Sequence, residues 1–218
     1  MTAPFTAILF DLDGTIVDSA PGITASLAWT LEQLGLPVPS PAELLEWVGP
    51  PILDSFRDRL GMTTEQAAAA LKVYRPHYIA HGALDSPVYP GVAAVLQAIS
   101  GSGVALSLAT SKPESLARNI LEAHGLAGYF DVITGASEDE LRSAKADVVA
   151  EALRRLTAGG LDISHPVMVG DRHYDVLGAA ENGVPTIFVG WGYGGIAEQV
   201  GTIAVAADAP ALQNLLLD

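Results

Sequence analysis

Short apolar segments with β-strand character alternate with helical segments in the second half of this chain, and that alternation limits the folds available to it. The strand-like segments are 6–10, 104–109, 131–134, 166–169 and 186–189. The segments with helical spacing between the later strands are 113–124, 144–156 and 175–182. Strands that alternate with helices in this way form a parallel sheet covered on both faces. We therefore predict an α/β fold with a doubly wound parallel sheet.

Residues 16–88 interrupt the alternation, because they contain helical segments with no convincing strand between them. These segments are 22–34, 42–47, 52–60 and 64–81. Pro-rich stretches at 36–41 and 87–91 predict a turn within the block and the return of the chain to the sheet. We predict a core domain of residues 1–15 and 89–218 and a small α-helical cap domain of residues 16–88.

The composition argues against several classes of partner. The 218 residues include 11 Lys and Arg against 25 Asp and Glu, a formal charge of −14, which disfavours broad binding to nucleic acid or anionic membranes. The chain has no Cys, and no stretch approaches the roughly 20 apolar residues of a membrane span. The acidic stretch 136–143, with Glu138, Asp139 and Glu140, is typical of a solvated loop. We expect a cytoplasmic monomer or homodimer without nucleic-acid or membrane partners.

The first motif, Asp11-Leu12-Asp13-Gly14-Thr15, directly follows the first strand-like segment. Open α/β sheets bind ligands at strand carboxyl ends, where these two carboxylates would converge and repel without a cation or a shared proton. Hard oxygen ligands suggest Mg²⁺. A calcium loop would need a preceding helix and Glu at its twelfth position, where this chain has Gly22. A turn in which Asp13-Gly14 supplies only left-handed backbone geometry is another alternative.

The second motif is Gly170-Asp171 at the end of a later strand, followed by Asp175. Two carboxylates at this spacing can share one helical face, where their repulsion favours a bound cation. An N-cap role for Asp171 is the alternative. We do not assign His173 to the metal, because a hard cation does not require imidazole.

The third motif is Thr110-Ser111 after another strand-like segment, with Pro113 where the first turn of a helix should begin. Hydroxyls and free amides at a helix N-terminus donate hydrogen bonds to phosphate oxygens, although Ser and Thr are also the usual N-cap residues. Lys145 opens a later helical segment and, taken alone, is typical of an exposed lysine. Each motif is weak by itself, so the assignment depends on their order along the chain.

Taken in order, strand-Asp-x-Asp-Gly-Thr, strand-Thr-Ser, Lys and strand-Gly-Asp-x-x-x-Asp resemble the haloacid dehalogenase superfamily of phosphohydrolases over nearly the whole chain. The helical insertion after the first motif resembles the cap of the phosphoglycolate-phosphatase-like group. Trp191-Gly192-Tyr193-Gly194 is similar to a loop of that group. The turn Val48-Gly49-Pro50-Pro51 resembles its substrate-facing cap loop, although Gly and Pro are also common in turns without a function. The chain departs from the group at Ser111, where Asn is common, and at Ala146, where Pro is common.

The resemblance implies a role for each motif. Asp11 is the implied nucleophile, which forms an aspartyl phosphate, and Asp13 is the implied acid and base. The residues implied to hold the phosphoryl group, by hydrogen bonds or, for the lysine, by charge, are Gly14, Thr110, Ser111 and Lys145. The implied ligands of Mg²⁺ are the Asp11 carboxylate, the Asp13 main-chain carbonyl, Asp171 and, directly or through water, Asp175.

The activity that the resemblance implies is Mg²⁺-dependent hydrolysis of a small-molecule phosphate monoester, with phosphoglycolate as the leading substrate. A phosphosugar mutase shares every core motif and differs in keeping water from the phosphoenzyme, so it stays an alternative. A nucleotidase or another phosphatase of the group is a further alternative, because the cap is expected to decide the substrate.

Overall fold

The computed structural model describes residues 3–138 and 142–218, which form a six-stranded parallel sheet with helices on both faces. The strands are β1 (Ala7–Phe10), β2 (Ala105–Pro113), β3 (Val132–Ala136), β4 (Pro166–Gly170), β5 (Thr186–Val189) and β6 (Ala204–Ala206). The α-helices are α1 (Ala20–Gln33), α2 (Pro41–Leu45), α3 (Ile52–Leu60), α4 (Thr64–His77), α5 (Val92–Ser102), α6 (Glu114–Ala123), α7 (Lys145–Ala158), α8 (His173–Glu181) and α9 (Ala209–Leu217). The predicted α/β fold with a doubly wound parallel sheet is confirmed.

The two faces of the sheet are buried by different helices. Successive residues of β1 point to opposite faces, so Ile8 and Phe10 pack with α5, α6 and α9. Ala7 and Leu9 pack on the other face with α7 and α8. All four residues of β1 are fully buried, which makes this strand the centre of the core.

The strand order β3-β2-β1-β4-β5-β6 reverses direction between β1 and β4. Phe10, the last residue of β1, lies opposite Leu108 of β2 and Val169 of β4. The Asp11 amide then donates to the Val169 carbonyl at 2.9 Å, which continues the pairing one residue beyond the strand. Open α/β sheets bind ligands in the crevice at such a reversal, so the carboxyl ends of β1, β2 and β4 mark the expected site.

The helical insert, which we define as residues 20–82, consists of α1 to α4 and a π-helix, Tyr78–Gly82. It has its own hydrophobic cluster, in which Leu27, Phe56 and Tyr74 are buried. Capping boxes begin α2 and α4: the side chains of Ser40 and Thr63 each accept from the amide of the residue three positions later, whose side chain accepts from the N-cap amide. The division into a core of residues 1–15 and 89–218 and a cap of residues 16–88 stays a prediction.

The structure differs from the predicted elements in several places. The expected helix 64–81 changes at His77, where a π-helix follows a turn that contains Pro76, a residue without an amide donor. β2 extends to Pro113 instead of ending at Ala109, with a break in its register between these two residues. Pro113 is therefore the N-cap of α6 and does not lie in its first turn. The elements that the sequence analysis did not predict are α5, α9 and β6.

Among the described residues, no helix is long and apolar enough to cross a membrane. The predicted solvated loop 136–143 includes Asp139 and Glu140, which lie outside the described residues. Glu138, at its start, is exposed and accepts a hydrogen bond from the Ser115 amide at 3.1 Å.

Close contact between α1 and the π-helix depends on Gly22, where a Cβ would overlap the carbonyl oxygen of Gly82. We expect Gly22→Ala to lower the free energy of unfolding by about 1–3 kcal/mol, the usual cost of overpacking. Gly101→Ala is the matched control, because in the described part of the chain no atom beyond its own helix lies within 4 Å of an added Cβ. There alanine should raise stability by up to about 0.5 kcal/mol. Urea unfolding measures both, and an unchanged Gly22→Ala would contradict the close contact.

Candidate active site

The carboxyl ends of β1, β2 and β4 meet the N-termini of α7 and α8, and the side chains predicted from the sequence converge there. Asp11 and Asp13 follow β1, and Asp171 follows β4. Side chains from β2 and from both helices complete the group. The predicted site residues, all of them buried, are Asp11, Asp13, Gly14, Thr110, Ser111, Lys145, Asp171 and Asp175.

Asp11, Asp171 and Asp175 are buried and form what we call the carboxylate cluster. One carboxylate oxygen from each residue lies within 4.8 Å of those from the other two. Burial, opposed by Lys145 and assisted by the charges of Asp175 and Asp13, raises the pKa of Asp11 to about 6. Burial, followed by the charges of Asp175 and Asp11, raises the pKa of Asp171 well above its ordinary value. The close negative charges destabilise one another, and an all-oxygen donor set of this kind fits a hard divalent cation such as Mg²⁺.

Asp171 is held in position by contacts to both of its carboxylate oxygens. The Thr15 hydroxyl donates to Oδ1 at 3.0 Å, and the Tyr193 amide donates to Oδ2 at 2.8 Å. A Cβ on Gly14 or Gly192 would overlap this carboxylate, so only bare backbone can approach it so closely. The turn and the loop that contain these glycines therefore fix the direction of the carboxylate.

Asp175 lies in the first turn of α8, where its Oδ2 accepts hydrogen bonds from the Asp171 amide at 3.1 Å and the Arg172 amide at 3.0 Å. The expectation that Asp171 and Asp175 share one helical face is wrong, since α8 begins only at His173 and its N-cap is Arg172. The two carboxylates meet because Asp175 folds back over the helix start. His173 contacts Glu198, with 2.7 Å between Nδ1 and Oε2.

Lys145 is not an exposed lysine, because it is buried and its ammonium contacts two members of the carboxylate cluster. Its Nζ lies 2.7 Å from Asp11 Oδ1 and 2.7 Å from Asp175 Oδ1, and it donates to the Ala109 carbonyl at 3.1 Å. Burial opposes the charged form, but Asp11 and Asp175 raise the pKa of Lys145 above its ordinary value. The lysine therefore stays charged and offsets part of the negative charge of the site.

Asp13 belongs to a separate pair that the sequence analysis missed. Lys112 Nζ donates to both carboxylate oxygens of Asp13, at 2.9 and 2.8 Å, and both side chains are buried. Burial opposes the charge of Lys112, but Asp13, followed by Tyr78, raises its pKa above the ordinary value. The available signal was position, since alternate residues of an extended strand face the same way and Lys112 follows Thr110 by two.

The candidate phosphate-binding residues Thr110 and Ser111 are buried next to Lys112 in β2, and Gly14 is buried next to Asp13. Thr110 is 1% exposed, and its Oγ1 accepts a hydrogen bond from the Lys112 amide at 3.3 Å. Gly14 has φ of 84°, so it does adopt left-handed backbone geometry, but the turn does not supply geometry alone, because Asp13 forms the buried pair with Lys112. A calcium loop is excluded, because strand β1 precedes the motif where such a loop needs a helix.

A small cavity of about 60 Å³ lies between the site and the helical insert. Its polar lining includes Asp13, Ser111 and Lys112, and its walls include Trp47 and Tyr78 of the insert. A wider groove of about 550 Å³ reaches Lys145 from the other side of Ser111. Pro50 and Pro51 line both spaces, so the turn that resembles a substrate-facing loop lies between them.

Arg172 connects the site to this turn. Its guanidinium donates to the Val48 carbonyl at 2.6 Å and to Glu198 Oε2 at 2.9 Å. Gly49, with φ of 112°, lies against the same side chain, since an added Cβ would be 3.3 Å from Arg172 Cγ. The insert is thus attached to the residue that follows Asp171.

Comparison with known proteins places these features in a family context. A family model described as haloacid dehalogenase-like hydrolase matches residues 8–189. The crystal structure described as a predicted phosphatase from Clostridium acetobutylicum has a TM-score of 0.90 and 36% identity, covering 96% of this chain and 97% of that one. At this identity and coverage, the similarity extends over both the sheet and the helical insert.

Curated relatives differ in their stated activities. Tyrosine-protein kinase PtkA of Mycobacterium tuberculosis is 43% identical over 188 residues, which are 86% of this chain and 62% of that protein. A 5′-nucleotidase of Pseudomonas aeruginosa is 38% identical over 187 residues, 86% of this chain and 83% of that protein. A phosphoglycolate phosphatase of Caulobacter vibrioides is 35% identical over 191 residues, 85% and 79% respectively. The chain thus spans less than two thirds of the length of PtkA.

We predict from the carboxylate cluster that Mg²⁺ stabilises the protein, because an ion that binds only the folded state raises the stability of that state. We expect Mg²⁺ to raise the thermal midpoint of the wild-type protein. Asp171→Asn should weaken the apparent Mg²⁺ affinity by at least about tenfold, the loss that even an outer-shell change can cause. Asp58→Asn, an exposed position on α3, is the control and should respond like wild type. Equal Mg²⁺ responses of all three proteins in scanning fluorimetry would rule out this site.

Proposed function

The chain belongs to the haloacid dehalogenase-like hydrolases, and we propose that it hydrolyses phosphate monoesters of small metabolites through an aspartyl-phosphate intermediate. One observation carries the proposal: the two carboxylates of a single turn have different surroundings. Asp11 belongs to the carboxylate cluster and contacts Lys145, whereas Asp13 pairs with Lys112 and lines the cavity. Two carboxylates placed in different environments can divide the roles of nucleophile and acid or base.

In the proposed first step, a carboxylate oxygen of Asp11 attacks phosphorus, and the bond from phosphorus to the ester oxygen breaks. Asp13 in its protonated form donates a proton to the departing oxygen, so the leaving group departs as an alcohol. Lys145 Nζ, 2.7 Å from Asp11, offsets the negative charge that builds up beside it.

In the proposed second step, a water molecule attacks the phosphorus of the aspartyl phosphate. Asp13, now a carboxylate, takes a proton from that water, and the bond between phosphorus and the Asp11 oxygen breaks. Asp11 is regenerated and inorganic phosphate leaves. The proton on Asp13 is then available for the next ester.

The remaining residues bind the phosphoryl group and the ion. Mg²⁺ bound by Asp11, Asp171, Asp175 and the Asp13 carbonyl would supply the positive charge that lets a carboxylate approach a phosphate. The Thr110 hydroxyl and the Ser111 amide would donate hydrogen bonds to the phosphoryl oxygens. Gly14, which has no side chain, would leave room for these oxygens. The Thr15 hydroxyl and the Tyr193 amide would hold the Asp171 carboxylate in position for the ion.

The leaving group would occupy the cavity beside Asp13. A volume of about 60 Å³ holds roughly four to six water-sized groups. Glycolate, with about five non-hydrogen atoms, matches that size, whereas a nucleoside is several times larger. This comparison and the phosphoglycolate phosphatase of Caulobacter vibrioides support phosphoglycolate as the leading substrate.

A nucleotidase is the second candidate function. The observation in its favour is the 38% identity to the 5′-nucleotidase of Pseudomonas aeruginosa, which extends over 86% of this chain. A nucleoside would require the insert to move away from the core, since the cavity in the described conformation is too small. The wider groove could hold a larger group, but acidic residues, among them Asp58 and Asp147, line it.

Asp11→Asn tests the nucleophile. We expect this variant to lose at least about 1000-fold in kcat, because the amide cannot form the aspartyl phosphate. The fold should persist, since Lys145 keeps its contact with Asp175, and circular dichroism checks this point. Glu122→Gln, at an exposed position on α6, is the control of unchanged activity, and wild-type turnover by Asp11→Asn would overturn the assignment.

A panel of esters with Mg²⁺ separates the substrates: phosphoglycolate, a nucleoside 5′-monophosphate, a hexose phosphate and an aryl phosphate. Release of inorganic phosphate measures hydrolysis. We expect the highest kcat/KM with phosphoglycolate, because its leaving group fits the cavity. A higher value for the nucleotide would support the nucleotidase, and an isomerised hexose phosphate without released phosphate would support the mutase.

A further inference from the structure

The pair of Asp13 and Lys112 is in a conformation that does not allow the chemistry proposed for Asp13. Both carboxylate oxygens of Asp13 accept from Lys112 Nζ, at 2.9 and 2.8 Å. An acid or base must contact the leaving-group oxygen or the attacking water within about 2.6–3.2 Å, which requires one free oxygen. The ammonium therefore has to release part of Asp13 before the carboxyl group can act.

Lys112 cannot leave Asp13 without finding another anion. Its side chain is 5% exposed, and an ammonium that is buried without a partner is strongly disfavoured. A hydrogen bond to the Tyr78 hydroxyl, or the nearby Tyr78 ring at 5.0 Å, would replace only part of the lost interaction. The new partner must thus be negatively charged and must enter the space that Lys112 faces.

That space is the cavity of about 60 Å³, because Lys112 and Asp13 both line it. Its walls also include Arg75, so two cations and one carboxylate are the charged residues among the described lining. The remaining lining is mostly apolar and aromatic, with Trp47 and Tyr74 among it. In a protein of formal charge −14, the cavity thus offers an entering anion one cation, Lys112, directly beside the proposed acid.

We propose that Lys112 binds a carboxylate on the leaving group of the substrate and that this contact releases Asp13 to act as acid and base. The inference rests on the proposed phosphatase function. The leaving-group oxygen must lie beside Asp13, and Lys112 Nζ is within 3 Å of the same carboxyl group. In the phosphate ester of a small 2-hydroxy acid, the carboxylate is attached to the carbon that carries the ester oxygen. The ester oxygen would therefore lie beside Asp13 while the carboxylate contacts Lys112.

The test compares two esters of similar size, phosphoglycolate and 2-hydroxyethyl phosphate, which differ by a carboxylate against a neutral hydroxymethyl group. We expect wild-type kcat/KM to favour phosphoglycolate by about 10- to 100-fold, the usual range for a charged hydrogen bond. Lys112→Met should reduce this preference to about threefold or less. Lys112→Arg, which keeps the charge, should retain most of the preference.

The ratio between the two esters separates recognition from a purely structural role. If Lys112 only orients Asp13, its loss lowers kcat for both esters equally and leaves their ratio unchanged, which overturns the proposal. Lys72→Met, an exposed lysine on α4, is the matched control and should keep the wild-type ratio and activity.

The wild-type protein alone also tests the proposal, whether or not Lys112→Met folds. Equal kcat/KM values for the two esters would overturn the role of Lys112 and leave the phosphatase intact. Hydrolysis of a nucleotide but of neither small ester would have the same meaning. Absence of phosphate release from every ester of the panel would overturn the proposed function itself, and the inference with it.

Discussion

The site depends on carboxylates that are kept buried within a few ångströms of one another. Asp11, Asp171 and Asp175 come from two distant segments of the chain, and one ammonium, that of Lys145, contacts two of them. One positive charge does not balance three negative ones. Burial first, and then that imbalance, raise the pKa values of Asp11 and Asp171, and a divalent cation would offset the excess negative charge.

The fold holds these charges in place through features of the backbone. The reversal of strand order sets β1 beside β4, so Asp11 and Asp171 are neighbours in space although they lie far apart in the sequence. Backbone amides of Tyr193 and Arg172 fix the carboxylates that follow β4. Backbone amides and glycines have no side-chain rotamers, so Asp171 and Asp175 are positioned before any ligand binds, whereas the pair of Asp13 and Lys112 has to rearrange.

The sequence predicted the parts of this arrangement that follow from local patterns. Alternating strands and helices indicated the sheet, and Asp11 and Asp171 could be located because both directly follow buried strands. Lys112 escaped notice because its contact with Asp13 depends on the path of β2 between Ala109 and Pro113, where the register breaks. The amide of Tyr193 has no sequence signature at all. The N-cap of the missed helix α5 is Gly91. Because glycine has no side chain to cap the helix, the usual sequence signal for a helix start is absent there.

Arg172 gives the molecule a mechanical linkage between the part that would hold the ion and the part that would select the ester. Its amide donates to Asp175, while its guanidinium holds the Val48 carbonyl of the insert. A displacement of the insert that breaks the second contact therefore pulls on the residue that makes the first. A movement of the insert relative to the core would therefore act directly on one of the two backbone amides that hold Asp175.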